Sequence, residues 1–132
     1  YPIVNLKDWG GPVKYVRALE QVMIATLGEM GISAHCEAGN TGVWTDEGKI
    51  AAIGVKISRS TTFHGFALNV NTDLGYYQNI IPCGISDRPV TSMAAILGEP
   101  VDMELVRYGL VYQFGREFGF RMEVAAIESV LG

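Results

Sequence analysis

Two strand-like segments separated by only two residues constrain the fold of this 132-residue chain more than any other feature. The segments Lys49–Ser58 (KIAAIGVKIS) and Thr61–Val70 (TTFHGFALNV) are rich in β-branched and aromatic residues, which favour extended structure. Because only Arg59 and Ser60 connect them, a tight turn must join them, and the sequence predicts an antiparallel β-hairpin. Two shorter predicted strands precede this hairpin: Ile32–Glu37 and Gly42–Thr45.

Helical periodicity flanks the predicted strands on both sides. Apolar residues recur at helical spacing from Val13 to Met30, after Pro12, which suits a first helical turn. Two further helices are predicted after the strands. The residues expected to cap the three helices are Gly31 for the first, Thr91 or Ser92 with Gly98 for the second, and Asp102 with Gly119 for the third. This order of elements predicts a single α/β (α+β) domain over residues 1–132, in which helices flank a mixed sheet.

Composition excludes several classes of protein. Hydrophobic residues make up 48% of the chain, enough to bury a core without disulfides or metal ions. A formal net charge of −4 argues against a nucleic-acid binder, and no apolar run reaches the roughly 20 residues of a membrane-spanning helix. Two cysteines are too few for the disulfide framework of a secreted domain, and the opening Tyr1-Pro2-Ile3-Val4 does not resemble a signal peptide. We therefore expect a cytoplasmic protein.

Cys83 is the candidate nucleophile. It lies in the turn-forming stretch PCGI after an apolar run, whereas a structural cysteine is usually found within a strand or helix. Such a turn can present the sulfur atom and leave backbone N–H groups free to stabilise an oxyanion. A thiol with the ordinary pKa of about 8.5 is only about 3% thiolate at pH 7, so nucleophilic catalysis needs a neighbouring cation or base. The alternative interpretation is an inert thiol in a loop.

Lys49 and His64 are the candidate partners of that thiol. Regular strand alternation puts Lys49 on the same side as Ala51, at the edge of an apolar face where it can serve as a base. The alternative is a lysine that simply extends into water. His64 lies in the second strand of the hairpin, where a histidine is more often a structural hydrogen-bonding residue. Gly54 and Gly65 interrupt the two strands and predict a groove for a slender ligand.

The longest distinctive stretch of the chain resembles one enzyme family. The run KIAAIGVKISRSTTFHGFALNVNTDL, followed by IIPCGISDRPVTS, is similar to the lipoyl(octanoyl) transferases, the octanoyl-[acyl-carrier-protein]:protein N-octanoyltransferases. The resemblance extends from Tyr1 to at least Phe120, and it implies the fold of the biotin and lipoate protein ligases. The Arg-Gly-Gly and His-Gly-Pro-Gly-Gln segments of that family do not occur in this chain. We therefore expect the chain to be the C-terminal portion of the catalytic domain.

The resemblance implies roles for individual residues. The family cysteine falls on Cys83 and would form an acyl-thioester intermediate, while the family lysine falls on Lys49 and would favour the thiolate or move a proton. The acyl-site segments of the family correspond to both strands of the hairpin, and His64 would take a structural or substrate-site role. The substrate-binding residues predicted in this way are Ala52, Ile53, Gly54, His64, Gly65, Phe66 and Ala67. No cofactor or metal ion is implied, because transfer from a thioester to an amide is downhill without ATP.

The implied reaction moves an octanoyl group from octanoyl-acyl carrier protein to a lysine of a lipoyl domain, in lipoate biosynthesis. The implied acceptors are the lipoyl domains of 2-oxoacid dehydrogenase complexes and the glycine cleavage H protein, with a monomeric enzyme and neither nucleic acid nor membrane as a partner. An acidic carrier protein requires a local basic patch. Lys56, Arg59 and Arg88 are candidates for it, although ordinary surface charges would look the same in a sequence.

Three alternative functions stay open at this level. A lipoate or biotin protein ligase would use an adenylate and no nucleophilic cysteine. A hydrolase that pairs Cys83 with His64 would release a free acid, and a truncated inactive fragment would only bind acyl groups or a partner. Each alternative differs from the transferase in one observable property. A ligase would depend on ATP, a hydrolase would give a free acid as product, and an inactive fragment would bind acyl groups without turnover.

Overall fold

A computed structural model describes residues 1–75 and 88–126 of the chain. In chain order the elements are α1 (Pro12–Glu29), β1 (His35–Glu37), β2 (Asn40–Thr45), β3 (Gly48–Ser58), β4 (Thr61–Leu68), α2 (Met93–Leu97) and α3 (Met103–Phe118). The four strands form one antiparallel sheet in the order β1-β2-β3-β4. None of the helices in this described part has the length and apolar character needed to span a bilayer.

The predicted hairpin is confirmed as β3 and β4. Cross-strand pairs run without interruption from the turn to Ala51 and Leu68 at the open end. Both turn residues have positive φ angles, 50° for Arg59 and 65° for Ser60. This conformation gives a two-residue turn the twist that adjacent antiparallel strands require.

The fourth strand ends earlier than the sequence predicts. β4 stops at Leu68 rather than Val70. The backbone carbonyls of Asn69 and Val70 accept hydrogen bonds from the N–H groups of Met93 and Ala94, each at 2.9 Å. This stretch is therefore bonded to the start of α2 instead of to a neighbouring strand.

The cap of α1 explains why β1 is shorter than predicted. Gly31 has a φ of +86°, and its N–H donates to the carbonyl of Gly28 at 3.2 Å, while the N–H of Ile32 donates to the carbonyl of Leu27 at 2.9 Å. These bonds form the left-handed ending expected of a glycine after a helix. Because Ile32 completes this cap, β1 begins only at His35.

The caps of the two later helices are also confirmed. Ser92 Oγ accepts a hydrogen bond at 3.1 Å from the backbone N–H three residues later. Asp102 Oδ1 accepts one at 2.9 Å from the N–H two residues later. The helices end at Gly98 and Gly119, whose φ angles are 79° and 72°, so local sequence signals fix both ends of α2 and α3.

The strands in the described part of the chain pair only in antiparallel fashion, so the mixed pairing predicted from the sequence was wrong for this sheet. A parallel contact occurs there only as an isolated bridge outside this strand pairing. Beyond the end of β4, Val90 lies alongside the start of β3 and pairs in parallel with Lys49. The N–H of Lys49 donates to the carbonyl of Pro89 at 3.0 Å, and the N–H of Thr91 donates to the carbonyl of Lys49 at 2.9 Å. At the turn end of the hairpin, the N-terminal segment pairs antiparallel with the start of β4 through Asn5 and Thr61.

The helices α1 and α3 pack together over one face of the sheet, called the inner face. Cross-strand partners share a face, and the inner face carries the side chains of Val43, Ala51, Ile53 and Phe66. These contact two apolar clusters, whose fully or almost fully buried members include Tyr15, Leu19, Met23, Leu27, Ile50, Met93, Val106 and Phe118. The predicted stripe of α1 was wrong at Val13, which is 75% exposed; the core side of this first turn is occupied by Tyr15 instead.

Candidate functional site

A β-bulge decides where Lys49 lies. In the pairing of β2 with β3, Val43 is opposite Ala51 and Trp44 is opposite Lys49, so Ile50 is an extra residue. Ile50 and Ala51 are both fully buried, and the alternation of β3 is broken at this point. Lys49 is therefore on the face of Trp44, opposite the inner face, and the predicted placement of Lys49 on the same side as Ala51 was wrong. We call this second face the outer face.

The ammonium group of Lys49 lies over an aromatic ring. Its Nζ atom is 5.5 Å from the ring centroid of Trp44. The stem of Lys49 passes close to Gly42, where an added Cβ atom would be 2.8 Å from Lys49 Cε. Among the described residues, no hydrogen bond or salt bridge engages this ammonium group. Lys49 is half-buried, so its charge is held in place yet stays available to a ligand.

Small residues form a floor on the outer face. Ala52 pairs with Ala67, and Gly54 pairs with Gly65. Ala52, Gly54 and Ala67 are exposed, and an added Cβ at Gly54 would meet nothing within 4 Å; these three residues are called the outer floor. Gly65 is different because a Cβ there would lie 2.6 Å from Pro2 Cδ. One of the two predicted groove glycines is thus open, and the other is covered by the N-terminal segment.

Ile53 and Phe66 are separated from the outer floor by the sheet itself. They pair with each other, and both pack against the buried clusters. Phe66 also lines an apolar cavity of about 710 Å³ between the N-terminal segment and α3, with Val4, Leu110 and Phe114. The predicted acyl-site residues are therefore divided between two faces.

A second cation lies over the same tryptophan. The Cζ atom of Arg88 is 3.9 Å from the ring centroid of Trp44, and its guanidinium makes a two-pronged ion pair with Glu37, with Nη2 at 2.6 Å from Oε1. The hydrogen bond from Arg88 lowers the pKa of Glu37 to about 2, and His35, with Nε2 at 3.4 Å, contributes in the same direction. The ion pair in turn raises the pKa of Arg88.

The segment that carries Arg88 is fixed beside Lys49. Besides the parallel bridge, the carbonyl group of Pro89 contacts the Cα side of Gly48 so closely that no Cβ would fit there. Cys83, the predicted nucleophile, lies outside the described residues, as does the rest of its PCGI stretch. In the sequence, Cys83 stands five residues before Arg88.

The remaining predicted site residues do not lie near Lys49. His64 pairs with Val55, six residues along β3 and so about 20 Å from Lys49 at the rise of a strand. It is exposed and has a φ of +61°, which a non-glycine residue rarely adopts. Lys56 lies still closer to the hairpin turn and Arg59 is part of that turn, whereas Arg88 lies beside the start of β3. The three predicted basic residues therefore do not form one patch.

Sequence reasoning missed two members of the cluster around Lys49. No motif marks Trp44 in the sequence, although its position across a short turn from Lys49 is a signal that the two are cross-strand neighbours. Glu37 was not singled out. It meets Arg88 across 51 positions of sequence, and no local pattern predicts such a contact.

Comparison with known proteins places the chain in a family. Residues 1–115 match the family model of the lipoyl protein ligase A/B catalytic domain. The chain belongs to this family. The octanoyltransferase of Solibacter usitatus (strain Ellin6076) is 54% identical over 123 residues, covering 92% of this chain and 55% of that protein. The resemblance found in the sequence is thereby confirmed.

Solved structures of ligases share the lipoyl protein ligase A/B fold of this chain. The apo biotin protein ligase from Aquifex aeolicus superposes with a TM-score of 0.70 at 21% identity, over 89% of this chain and 50% of that chain. Lipoate-protein ligase A bound with ATP gives a TM-score of 0.72 at 17% identity, over 95% of this chain and 54% of that one. The predicted fold is confirmed, and this chain spans about half the length of each of these proteins.

Proposed function

We propose that the protein containing this chain is an octanoyltransferase of lipoate biosynthesis, with residues 1–132 as one part of a single catalytic domain. The observation that carries the proposal is the position of Lys49. Its ammonium group lies at one end of the outer floor, and the segment beside it follows Cys83 by a few residues. The 54% identity to an octanoyltransferase supports the same assignment.

The proposed reaction has two acyl-transfer steps. In the first, the Cys83 thiolate attacks the thioester carbonyl of octanoyl-acyl carrier protein. A new C–S bond to Cys83 forms, the C–S bond to the carrier breaks, and the carrier sulfur leaves as a thiol with a proton from the Lys49 ammonium. In the second, the ε-amine of a lipoyl-domain lysine attacks the acyl-enzyme. The amide C–N bond forms, the Cys83 thiolate leaves, and Lys49 accepts the proton that the amine loses. No metal ion or nucleotide enters either step.

The outer floor is proposed to hold the octanoyl chain. A linear acyl chain needs a long, shallow surface, and Ala52, Gly54 and Ala67 offer one on which no side chain is larger than a methyl group. Ile53 and Phe66 would support the same two strands from the inner face. His64 and Gly65 stay predicted substrate-site residues, but they are not part of this open surface: His64 pairs with Val55, and Pro2 covers Gly65.

The partners are proposed from the same reaction. The donor is octanoyl-acyl carrier protein, and the acceptors are lipoyl domains of 2-oxoacid dehydrogenase complexes and the glycine cleavage H protein, encountered in the cytoplasm by a monomer. Since Lys56 and Arg59 lie at the hairpin end and Arg88 at the other, an acidic carrier protein would meet them at separate points.

Intact-protein mass spectrometry of the full-length protein tests the proposal. We expect incubation with octanoyl-acyl carrier protein to give a single octanoyl adduct that hydroxylamine removes, that is lost in Cys83→Ser, and that is retained in Cys36→Ser. Cys36 is the matched control because it is the other cysteine of the chain and is free and partly exposed. An adduct that persists in Cys83→Ser, or labelling that requires free octanoate and ATP, would contradict the proposed mechanism.

A further inference from the structure

Trp44 is a large, buried aromatic residue on the same face of the sheet as the small residues of the outer floor. It is only 6% exposed, and its indole Nε1 has no hydrogen-bond partner in the described part of the chain. Its ring is contacted by the Lys49 ammonium at 5.5 Å and by the Arg88 guanidinium at 3.9 Å. Cation–π attraction is strongest for a tryptophan ring and for partly desolvated cations.

We propose that Trp44, Arg88 and Glu37 are positioning residues that keep the Lys49 ammonium in place and free of a carboxylate. Because Lys49 is taken to act on Cys83, this inference rests on the proposed function. It assigns a separate role to each residue. Trp44 fixes the position of the ammonium group, and Arg88, which lies on the same ring, forms an ion pair with the carboxylate of Glu37.

The ring holds a charge without neutralising it. A carboxylate beside Lys49 would compete with a thiolate for the ammonium and would remove its electrostatic effect on a nearby thiol. A π face attracts the ammonium more weakly and leaves its N–H donors available. Trp44 therefore suits a lysine whose task is to stabilise an anion that arrives later.

Arg88 prevents the competing contact. Its planar fork binds Glu37 through two nitrogen atoms while its flat face rests on Trp44, a combination that lysine cannot reproduce. With Arg88 in place, the charge of Glu37 is already compensated. Removing the guanidinium would leave that carboxylate on the Trp44 side of the sheet, where Lys49 is the other cation in the described part of the site.

The charged groups of the surrounding elements define the electrostatic setting. Glu37 and His35 come from β1, Arg88 comes from the segment beside β3, and Asp46 and Glu47 lie in the β2–β3 turn next to Lys49. Asp46 and Glu47 are exposed, and solvent weakens their effect.

The test measures the pH dependence of thiol alkylation, which does not require the acyl-transfer reaction. In the full-length protein with Cys36→Ser, the rate of iodoacetamide labelling of Cys83 is followed against pH. The midpoint is the pH at which the labelling rate reaches half of its maximum. We expect Lys49→Ala to move this midpoint to higher pH by about one unit. Arg88→Ala should move it in the same direction, and the double variant Arg88→Ala/Glu37→Gln should return it towards the parent value.

The recovery in the double variant should disappear in a Lys49→Ala background, because a direct effect of the charges of Arg88 and Glu37 on the thiol would persist without Lys49. Trp44→Phe, which keeps a π face, should move the midpoint less than Trp44→Leu, and Trp44→Leu should have no further effect in a Lys49→Ala background. Arg107→Ala is the matched control, since Arg107 forms an exposed ion pair with Glu104 on α3, and it should leave the midpoint unchanged. Thermal unfolding verifies that each variant is folded.

Two results would overturn the inference. One is a double variant no closer to the parent than Arg88→Ala alone, and the other is equal midpoints for Trp44→Phe and Trp44→Leu. Failure of the proposed function is distinguishable, because it appears as absence of the Cys83 acyl adduct in the parent protein, whatever the alkylation profiles are.

Discussion

The two faces of the β3–β4 hairpin differ in the size and the burial of their side chains. On the inner face, Ile53 and Phe66 pair and pack against α1 and α3. On the outer face, Ala52 and Gly54 present almost no side-chain volume, and a bulge brings Lys49 to that face. The same two strands thus use one face for burial and leave the other open and charged, so substitutions should separate stability from activity according to face.

The largest expected effect is truncation of a side chain at the bulge that points into the core. Ile50 is fully buried, and Ile50→Ala should lower the free energy of unfolding by about 2–5 kcal/mol, because it removes apolar contacts and leaves a cavity. Lys56→Ala, an exposed position on the same strand, is the matched control and should change it by about 0.5 kcal/mol or less. Urea unfolding measures both, and similar losses for the two variants would contradict the division between the faces.

A smaller loss is expected from Gly48→Ala. Gly48 has a φ of +135°, and an added Cβ would collide with the backbone of Pro89. The free energy of unfolding of this variant should therefore fall by about 2 kcal/mol, because the backbone is strained and the segment beside Lys49 is displaced. Gly54→Ala is the control, because its φ is ordinary and nothing lies within 4 Å. Gly54→Ala should unfold like the parent, whereas Gly54→Leu, which places a side chain larger than a methyl group on the outer floor, should raise the KM for the octanoyl donor severalfold. A Gly54→Leu enzyme with parental KM would remove Gly54 from the acyl site.

The smallest effect concerns the acid side of the stability curve. The pKa of Glu37 is lowered from 4.5 to about 2 in the folded protein, so its contribution is present above pH 4.5 and is lost as the pH falls from about 4.5 to 2. The parent should therefore have a higher Tm than Glu37→Gln at pH 6, and the two values should converge near pH 2. A constant difference in Tm across this range would show that the charge of Glu37 contributes nothing.

Local signals predicted most of the fold. Gly31, Ser92 and Asp102 cap helices where the sequence places them, and the Arg59-Ser60 connection forms the predicted turn. The strand ends were less predictable because they depend on partners elsewhere. β4 stops at Leu68 since the following carbonyls bond to α2, a long-range contact that the sequence of β4 does not contain.

The candidate site was predictable in its residue types but not in its geometry. Lys49 was identified, yet its face was predicted wrongly, because a bulge depends on how β2 pairs with β3 and not on the alternation of β3 alone. The contacts of Trp44 and Glu37 with Arg88 join residues that are 44 and 51 positions apart in the sequence, which no local pattern predicts. The assignment of Cys83 stays a prediction.

The ion pair between Glu37 and Arg88 also has a consequence for the order of folding. The β2–β3–β4 meander needs only short loops, whereas this pair closes a loop of 51 positions, for which the entropy term alone is on the order of 3–4 kcal/mol. The meander can therefore form early, and the cations can meet on the tryptophan ring only late. A chain emerging from the ribosome would bring Arg88 to Trp44 and Glu37 only after the sheet that carries them is already in place.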